Sequence, residues 1–378
     1  MREAWHTNDA KIYIIPLNLS KTEFENHKQI AKKGTFLCPY CKAKLYVKGG
    51  EKREKHFSHL HGESCEESKK SEARYTKYVN QKKNDTPRHP QILAIMKDEF
   101  DVLSKVYPFL NNSYGYLNPL FTKYIPDISL IINDHKYAIT VLTNISSTND
   151  ITTARNIQKQ KDYYESIGYE PLFFIERSHL GIDIDGQSLV LWATEREALT
   201  SQKADLQWQG FLSQLAPIVE QQKVLKLPKT DLIVKSIMYI TPANQAIAVE
   251  VFHVLEQSNT TPVKAYFLSY PYTITFSQAF KLDADSLTLA DLNVEMDMQS
   301  KYAEKLKAAK EAFIAEQQEL ERLKLEEGKL AKPSFMDRKQ QTLIKQKTYQ
   351  DSFNNSDYSK ADANKKMEML KRMYNLNN

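Results

Sequence analysis

Glycine is scarce in this chain, at 10 of 378 residues, and none falls in a G-x-G-x-x-G arrangement. The usual phosphate-cradling loops are therefore unsupported. Cysteine is scarcer still: Cys38, Cys41 and Cys65 are all there are, and they sit in one short stretch. An odd, clustered set of thiols argues against a disulfide framework and for a reducing compartment. Long apolar runs are missing too. Ile128–Ile132 and Leu189–Ala193 are strand-sized, and nothing approaches the ~18 residues of a membrane span, so no membrane insertion is expected. The first residues, MREAWHTNDAKIY, lack the apolar core of a secretory leader, which makes the cytoplasm the expected location. Internal repeats and a recognisable Ser/His/Asp order are also missing.

What is present suffices for a folded protein. Hydrophobic residues make up 41% and charged residues 26%, enough apolar material to exclude wholesale disorder. A prior of ~150 residues per domain gives two or three units. The net charge of +5 is unevenly placed: residues 31–100 hold 16 Lys and Arg against 9 Asp and Glu. A local basic excess suits a polyanionic partner such as DNA, although a solvated face would look the same.

The cysteines carry the most specific signal. Cys38-Pro-Tyr-Cys41 is a C-x-x-C turn, which presents two thiolates from one tight loop. Completing a tetrahedron requires two more ligands from a separate piece of chain, and His56, His59, His61 and Cys65 are the available donors. Side chains alternate across an extended segment, so His56 and His59 point to opposite sides and one of them serves. The preferred set is Cys38, Cys41, His59 and Cys65, with His56 as the alternative ligand, around one structural Zn2+. Three unrelated thiols beside surface histidines are the competing reading.

Beyond Cys65 the pattern becomes helical. Glu66–Gln81 and Gln91–Val106 are rich in helix formers, with Pro87 and Pro90 between them. Two β-prone runs, Tyr124–Ile132 and Lys136–Thr143, flank a short polar turn and predict a hairpin. A helix over Thr148–Gly168 and a strand over Pro171–Ile175 follow, then a second hairpin over Ile182–Trp192 turning at Asp185-Gly186. Helix, hairpin, helix, strand is an α/β order.

This order of features resembles the CoiA-like competence proteins. The resemblance runs from the Cys-x-x-Cys finger, through His56-Phe-Ser-His59 and Cys65, to Pro126-Asp127, Arg155, Tyr164 and the Gly168–Ile175 strand. It covers roughly residues 30–195. It implies a DNA-handling factor of bacterial transformation and recombination, with a PD-(D/E)xK nuclease-like core. In such a core two carboxylates hold a divalent cation, Mg2+, beside the scissile phosphate. Here the second strand departs from the pattern. Thr140 and Leu142 stand where an acidic residue and a Lys or Gln are expected, and no Asp or Glu occurs from Lys136 to Ser147. The candidate catalytic residues are therefore Asp127, with Glu72 assisting and Lys159 or Gln160 replacing the missing base. Lys52, Arg53, Lys55 and Arg155 are the candidate DNA contacts.

The C-terminal half carries no catalytic constellation. Trp208, Phe211, Leu212 and Leu215 have the spacing of a buried helix face, and residues 231–290 alternate as strands would. Tyr302, Leu306, Ala309, Phe313, Leu320 and Leu323 form an apolar stripe on a long charged helix ended by Gly328 and Pro333. Residues 296–327 could thus pair with a second copy or a partner protein, and 354–378 have helical spacing of their own. The expected architecture is α/β (α+β): a zinc-finger-like module over 1–67, a nuclease-like core over 68–200, an appended α/β region over 201–290 and a helical tail over 291–378. Three functions stay open: a DNA-binding protein with little cleavage, an active metal-dependent nuclease, and an interaction scaffold acting through the tail.

Overall fold

In the computed structural model the chain opens with strands β1 (Glu3–His6) and β2 (Lys11–Ile14), then helix α1 (Lys21–Lys32) and strands β3 (Phe36–Leu37), β4 (Tyr46–Lys48) and β5 (His56–Ser58). Helices α2 (Glu66–Lys82) and α3 (His89–Val106) precede β6 (Leu110–Tyr114), β7 (Ile128–Ile132), β8 (His135–Leu142), α4 (Asp150–Ser166) and β9 (Glu170–Glu176). Next come β10 (Ile182–Asp183), β11 (Ser188–Val190), α5 (Ala193–Glu197), α6 (Lys203–Leu215) and α7 (Ile218–Leu225). The remainder comprises β12 (Thr230–Ala243), β13 (Ala246–Gln257), β14 (Lys264–Phe267), β15 (Tyr272–Thr275), α8 (Phe276–Ala279), β16 (Lys281–Asp283), β17 (Ser286–Thr288) and α9 (Leu292–Glu327). The structure describes residues 1–16, 19–50, 54–60, 64–183, 187–227, 230–243, 246–257, 262–279, 281–283, 286–327, 366 and 368. The expected turn at Asp185-Gly186, the helix stop at Gly328 and Pro333 and most of the tail from 354 onward lie outside these residues.

Two units form. The first joins residues 1–85 to 112–130, and the second joins 86–111 to 131–378, with the division running through β6 and β7.

In the first unit β1 lies between β2 and β3, and β4 pairs with β5. Helix α1 starts on a capping box: the Ser20 hydroxyl accepts from the Glu23 amide while the Glu23 carboxylate accepts from the Ser20 amide. Phe24, Phe36, Leu45, Val47 and Phe57 form a small core beneath it. Helix α2 fastens residues 112–130 to this unit through backbone carbonyls: Arg74 donates to Tyr116 O at 3.0 Å and Lys77 to Thr122 O at 2.8 Å. Tyr116 is itself buried among Tyr75, Tyr78 and Tyr114. Gly115 has a steric role here, since a Cβ would lie 2.0 Å from the Pro126 carbonyl oxygen.

In the second unit the mixed sheet runs β10-β11-β14-β13-β12-β9-β8. Strands β8 and β9 are parallel and joined through α4, while β12 and β13 form a long antiparallel hairpin. Strand β12 also pairs in parallel with β9, Met238 opposite Phe174. The relation of residues 231–290 to the preceding sheet was left open by the sequence; strands β12 to β15 extend that sheet, whereas β16 and β17 pair with each other. Polar periodicity along a strand shows which side chains are buried but not which neighbour the strand pairs with, so this join was invisible in the sequence. As expected, Trp208 and Leu212 of α6 are fully buried. The α9 stripe is graded along its length: Tyr302 and Leu306 are buried, Ala309 and Phe313 half-buried, and Leu320 and Leu323 exposed.

One polar cluster ties α9 to this sheet. His253 on β13 is buried, with Nδ1 2.7 Å from Asp205 of α6 and Nε2 2.8 Å from Glu295 of α9. Trp208 and Tyr272 also donate to Glu295, and Ser236 donates to Asp205 at 2.8 Å. Burial alone would lower the imidazolium, but hydrogen bonds and charge from the two carboxylates outweigh it and push His253 up to about 10. Burial would raise the Glu295 carboxyl, yet His253 and the hydroxyl and indole donors hold it below its ordinary value. The histidine contribution is thus fully present below its ordinary value near 6.5 and is lost as pH rises through about 10. The Glu295 contribution is present above 4.5 and is lost as pH falls. His253→Gln should therefore cost about 3–5 kcal/mol at pH 6, because it leaves buried carboxylates unpaired. It should also flatten the fall in stability between pH 6.5 and 10, measured by denaturant melts across that range.

Candidate functional site

Three separate pieces of chain converge on one point in the first unit. The turn after β3 supplies Cys38 and Cys41: the Cys38 amide donates to Ala43 O at 2.7 Å, the Lys42 amide to Cys38 O at 3.0 Å, and Lys42 takes a left-handed φ of 61° that folds the chain back. The residue after β5 supplies His59, which is buried. The N-cap of α2 supplies Cys65. Their ligand atoms all lie within 4.8 Å of one another. The Cys38 and Cys65 sulfurs are 3.8 Å apart, and Cys41 Sγ is 3.3 Å from His59 Nε2. With metal–sulfur bonds of ~2.3 Å and a metal–nitrogen bond of ~2.0–2.1 Å, the edges of a tetrahedron come to about 3.8 Å and about 3.5 Å. Cys38, Cys41, His59 and Cys65 are thus positioned to hold a metal ion, and three thiolates with one imidazole are compatible with zinc.

The electrostatics agree with that geometry. Burial pushes the Cys38 thiol up to about 12, so a thiolate there calls for a cation in contact. Burial would raise the Cys65 thiol also, but hydrogen bonds from Ser68 hold it below the usual thiol range at the start of α2. The alternative ligand His56 turns away, with Nδ1 2.8 Å from the Glu54 carbonyl oxygen. The alternation expected of an extended segment accounts for this: Phe57 points into the core between the two histidines. Of the remaining candidates, His61 lies outside the described residues.

Asp127 is fully buried in the same unit. Its Oδ1 accepts from the Tyr78 hydroxyl at 2.6 Å and its Oδ2 from the Lys82 ammonium at 2.8 Å. Lys82 also faces Asp85 at 3.5 Å. Burial would lower the Lys82 ammonium, but Asp127 and Asp85 hold it above its ordinary value. Glu72 lies six residues before Tyr78, about 9 Å of helix rise away. Its carboxylate is 63% exposed and 4.0 Å from the Met1 amine. Lys159 and Arg155 are exposed on α4 in the second unit. The structure thus gives Asp127 an internal cation, and nothing in it supports Mg2+ at this carboxylate. Lys82 was missed in the sequence, where a helical lysine among many basic residues carries no mark. Thr140, at the position expected to be acidic, is buried with an unpartnered hydroxyl.

The expected DNA contacts divide as well. Lys52 and Arg53 lie outside the described residues, and the Lys55 ammonium donates to the Leu19 carbonyl oxygen. The structure also assembles Ser236, His253 and Asp205, which the sequence order did not suggest. They do not form a nucleophilic triad, because both imidazole nitrogens face carboxylates and the serine donates to Asp205.

Residues 19–68 match the family model of the competence protein CoiA N-terminal domain. This segment is similar to a CoiA N-terminal domain. All four metal-positioned residues fall inside the matched segment, and the match supports a competence-related role. No curated protein and no solved structure matches the chain. No helix among the described residues is long and apolar enough to cross a membrane.

Elemental analysis of the purified chain should return one tightly held metal ion per chain, dropping to background in a Cys38→Ala/Cys41→Ala variant. Full occupancy in that variant would place the metal elsewhere.

Proposed function

We propose that this protein is a DNA-handling factor of transformation or recombination that holds DNA without cutting it efficiently. A structural Zn2+ organises its first unit. The observation that carries this reading is the pairing of Asp127 with Lys82. A carboxylate whose two oxygens are engaged by a lysine and a tyrosine is a poor ligand for a divalent cation, and metal-assisted phosphodiester cleavage needs convergent, open ligands. The same unit holds the excess of positive charge: residues 1–85 and 112–130 contain 19 Lys and Arg against 12 Asp and Glu. Such a surface attracts a phosphate backbone by releasing counterions. The zinc supplies folding energy to a module whose own core is small, so the metal acts on the shape of the basic surface and not on a reacting bond. With the donor set closed by four protein ligands, no position remains for a substrate oxygen.

The reading is tested by binding and cleavage together, on single- and double-stranded DNA with Mg2+ or Mn2+. Binding should weaken linearly with log salt, by a slope of about 0.7–0.9 per phosphate contact, while the DNA stays intact. Metal-dependent cleavage abolished by Asp127→Asn, in a variant that still binds DNA, would establish the nuclease instead. Binding insensitive to salt would remove the polyanion argument.

A further inference from the structure

A lysine far along the sequence is buried inside the second unit. Glu195 of α5 is fully buried, and both of its carboxylate oxygens are engaged. Its Oε1 accepts from the Tyr239 hydroxyl at 2.9 Å, and its Oε2 accepts from the Trp192 amide at 2.7 Å and from the Lys366 ammonium. The same ammonium donates to the His179 carbonyl oxygen at 2.8 Å and lies 6.0 Å from the centroid of the Trp192 ring. Asp150 fixes the start of α5 by accepting from the Ala193 and Thr194 amides at 2.9 and 2.8 Å, which holds Glu195 in place.

Gly181 gives a second, independent sign. A Cβ built there would lie 2.5 Å from Lys366 Cδ, and the three nearest atoms all belong to Lys366. The backbone at Gly181 is outside the left-handed region, so the conformation itself does not call for glycine. The lysine stem is what occupies the space a side chain would need.

We propose that Glu195, the His179 carbonyl and the Trp192 ring form a lysine-binding pocket whose ligand is Lys366 of the same chain, so that one side chain ties position 366 to α5. The chemistry fits an alkylammonium: a buried carboxylate for the charge, a carbonyl for a second N–H, and an aromatic face beside it. A carboxylate with neutral donors alone would be costly to keep ionised at full burial, and Lys366 supplies the missing charge. The chain from Glu327 to Lys366 spans up to roughly 3.3–3.6 Å per residue, long enough for the ligand to come from the same molecule at high effective concentration.

Hydrogen exchange of the full-length protein tests this in wild type, Lys366→Ala, Gly181→Ala and the double variant. Peptides covering 179–198 should exchange about tenfold faster or more in Lys366→Ala, and Gly181→Ala should reproduce the effect. The double variant should exchange no faster than Lys366→Ala alone, because the alanine then meets no lysine. Unchanged exchange over 179–198 in Lys366→Ala, or effects that simply add in the double variant, would overturn the proposal. Should a variant fail to fold, wild type decides: a peptide containing Lys366 must be protected, and exchange at the rate of unstructured chain sinks the proposal. Protection over 179–198 that falls on dilution would assign the lysine to a second copy and overturn the same-chain ligand.

Discussion

A charge removed from water needs an opposite charge beside it, and this requirement decides several of the tertiary contacts in both units. Asp127 is met by Lys82, His253 by Asp205 and Glu295, and Glu195 by Lys366. Each pairing joins elements distant in sequence, and none is replaceable by hydrophobic packing without changing both partners. Breaking one side leaves an uncompensated ion, which is why such pairs fix an arrangement more firmly than their net stabilising effect suggests. The functional reading depends on the same constraint. An aspartate that has its cation from within the protein is satisfied, and it has little affinity left for a metal and a phosphate.

The metal-positioned cluster follows a related rule with different atoms. Cysteines from a turn and a helix start, with an imidazole from a strand end, converge from pieces of chain that share only a modest core. This site was legible in the sequence because ligand chemistry leaves a local signature: C-x-x-C, then His and Cys at a suitable distance. That only one of His56 and His59 would serve was legible too, from the alternation of an extended segment, but not which of the two.

The ion pairs were not legible. Lys82 sits in a stretch crowded with lysines, and Lys366 lies 171 positions from its carboxylate. Nothing in a single sequence distinguishes a lysine that will be buried from one that will stay in water. The helices and strands expected between Glu66 and Ile175 followed periodicity and turn residues closely, with Pro90 falling just inside α3 where proline is tolerated, whereas α1 and β6 were not expected. The pairing of β12 with β9 was hidden for a different reason: strand order depends on which edge is free when the chain arrives, and the alternation of side chains does not record it.

The division of the chain has a consequence for how the protein is made. Residues 19–68 carry the family match, but the unit that contains them also takes in α2 and residues 112–130, after the chain has passed through α3 in the other unit. During synthesis, therefore, the first unit stays incomplete until residue 130 has left the ribosome, and Asp127 reaches Lys82 only at that point. Until then Lys82 has Asp85 beside it but not Asp127, and a gene fragment cut at the end of the family match would lose Lys82 altogether.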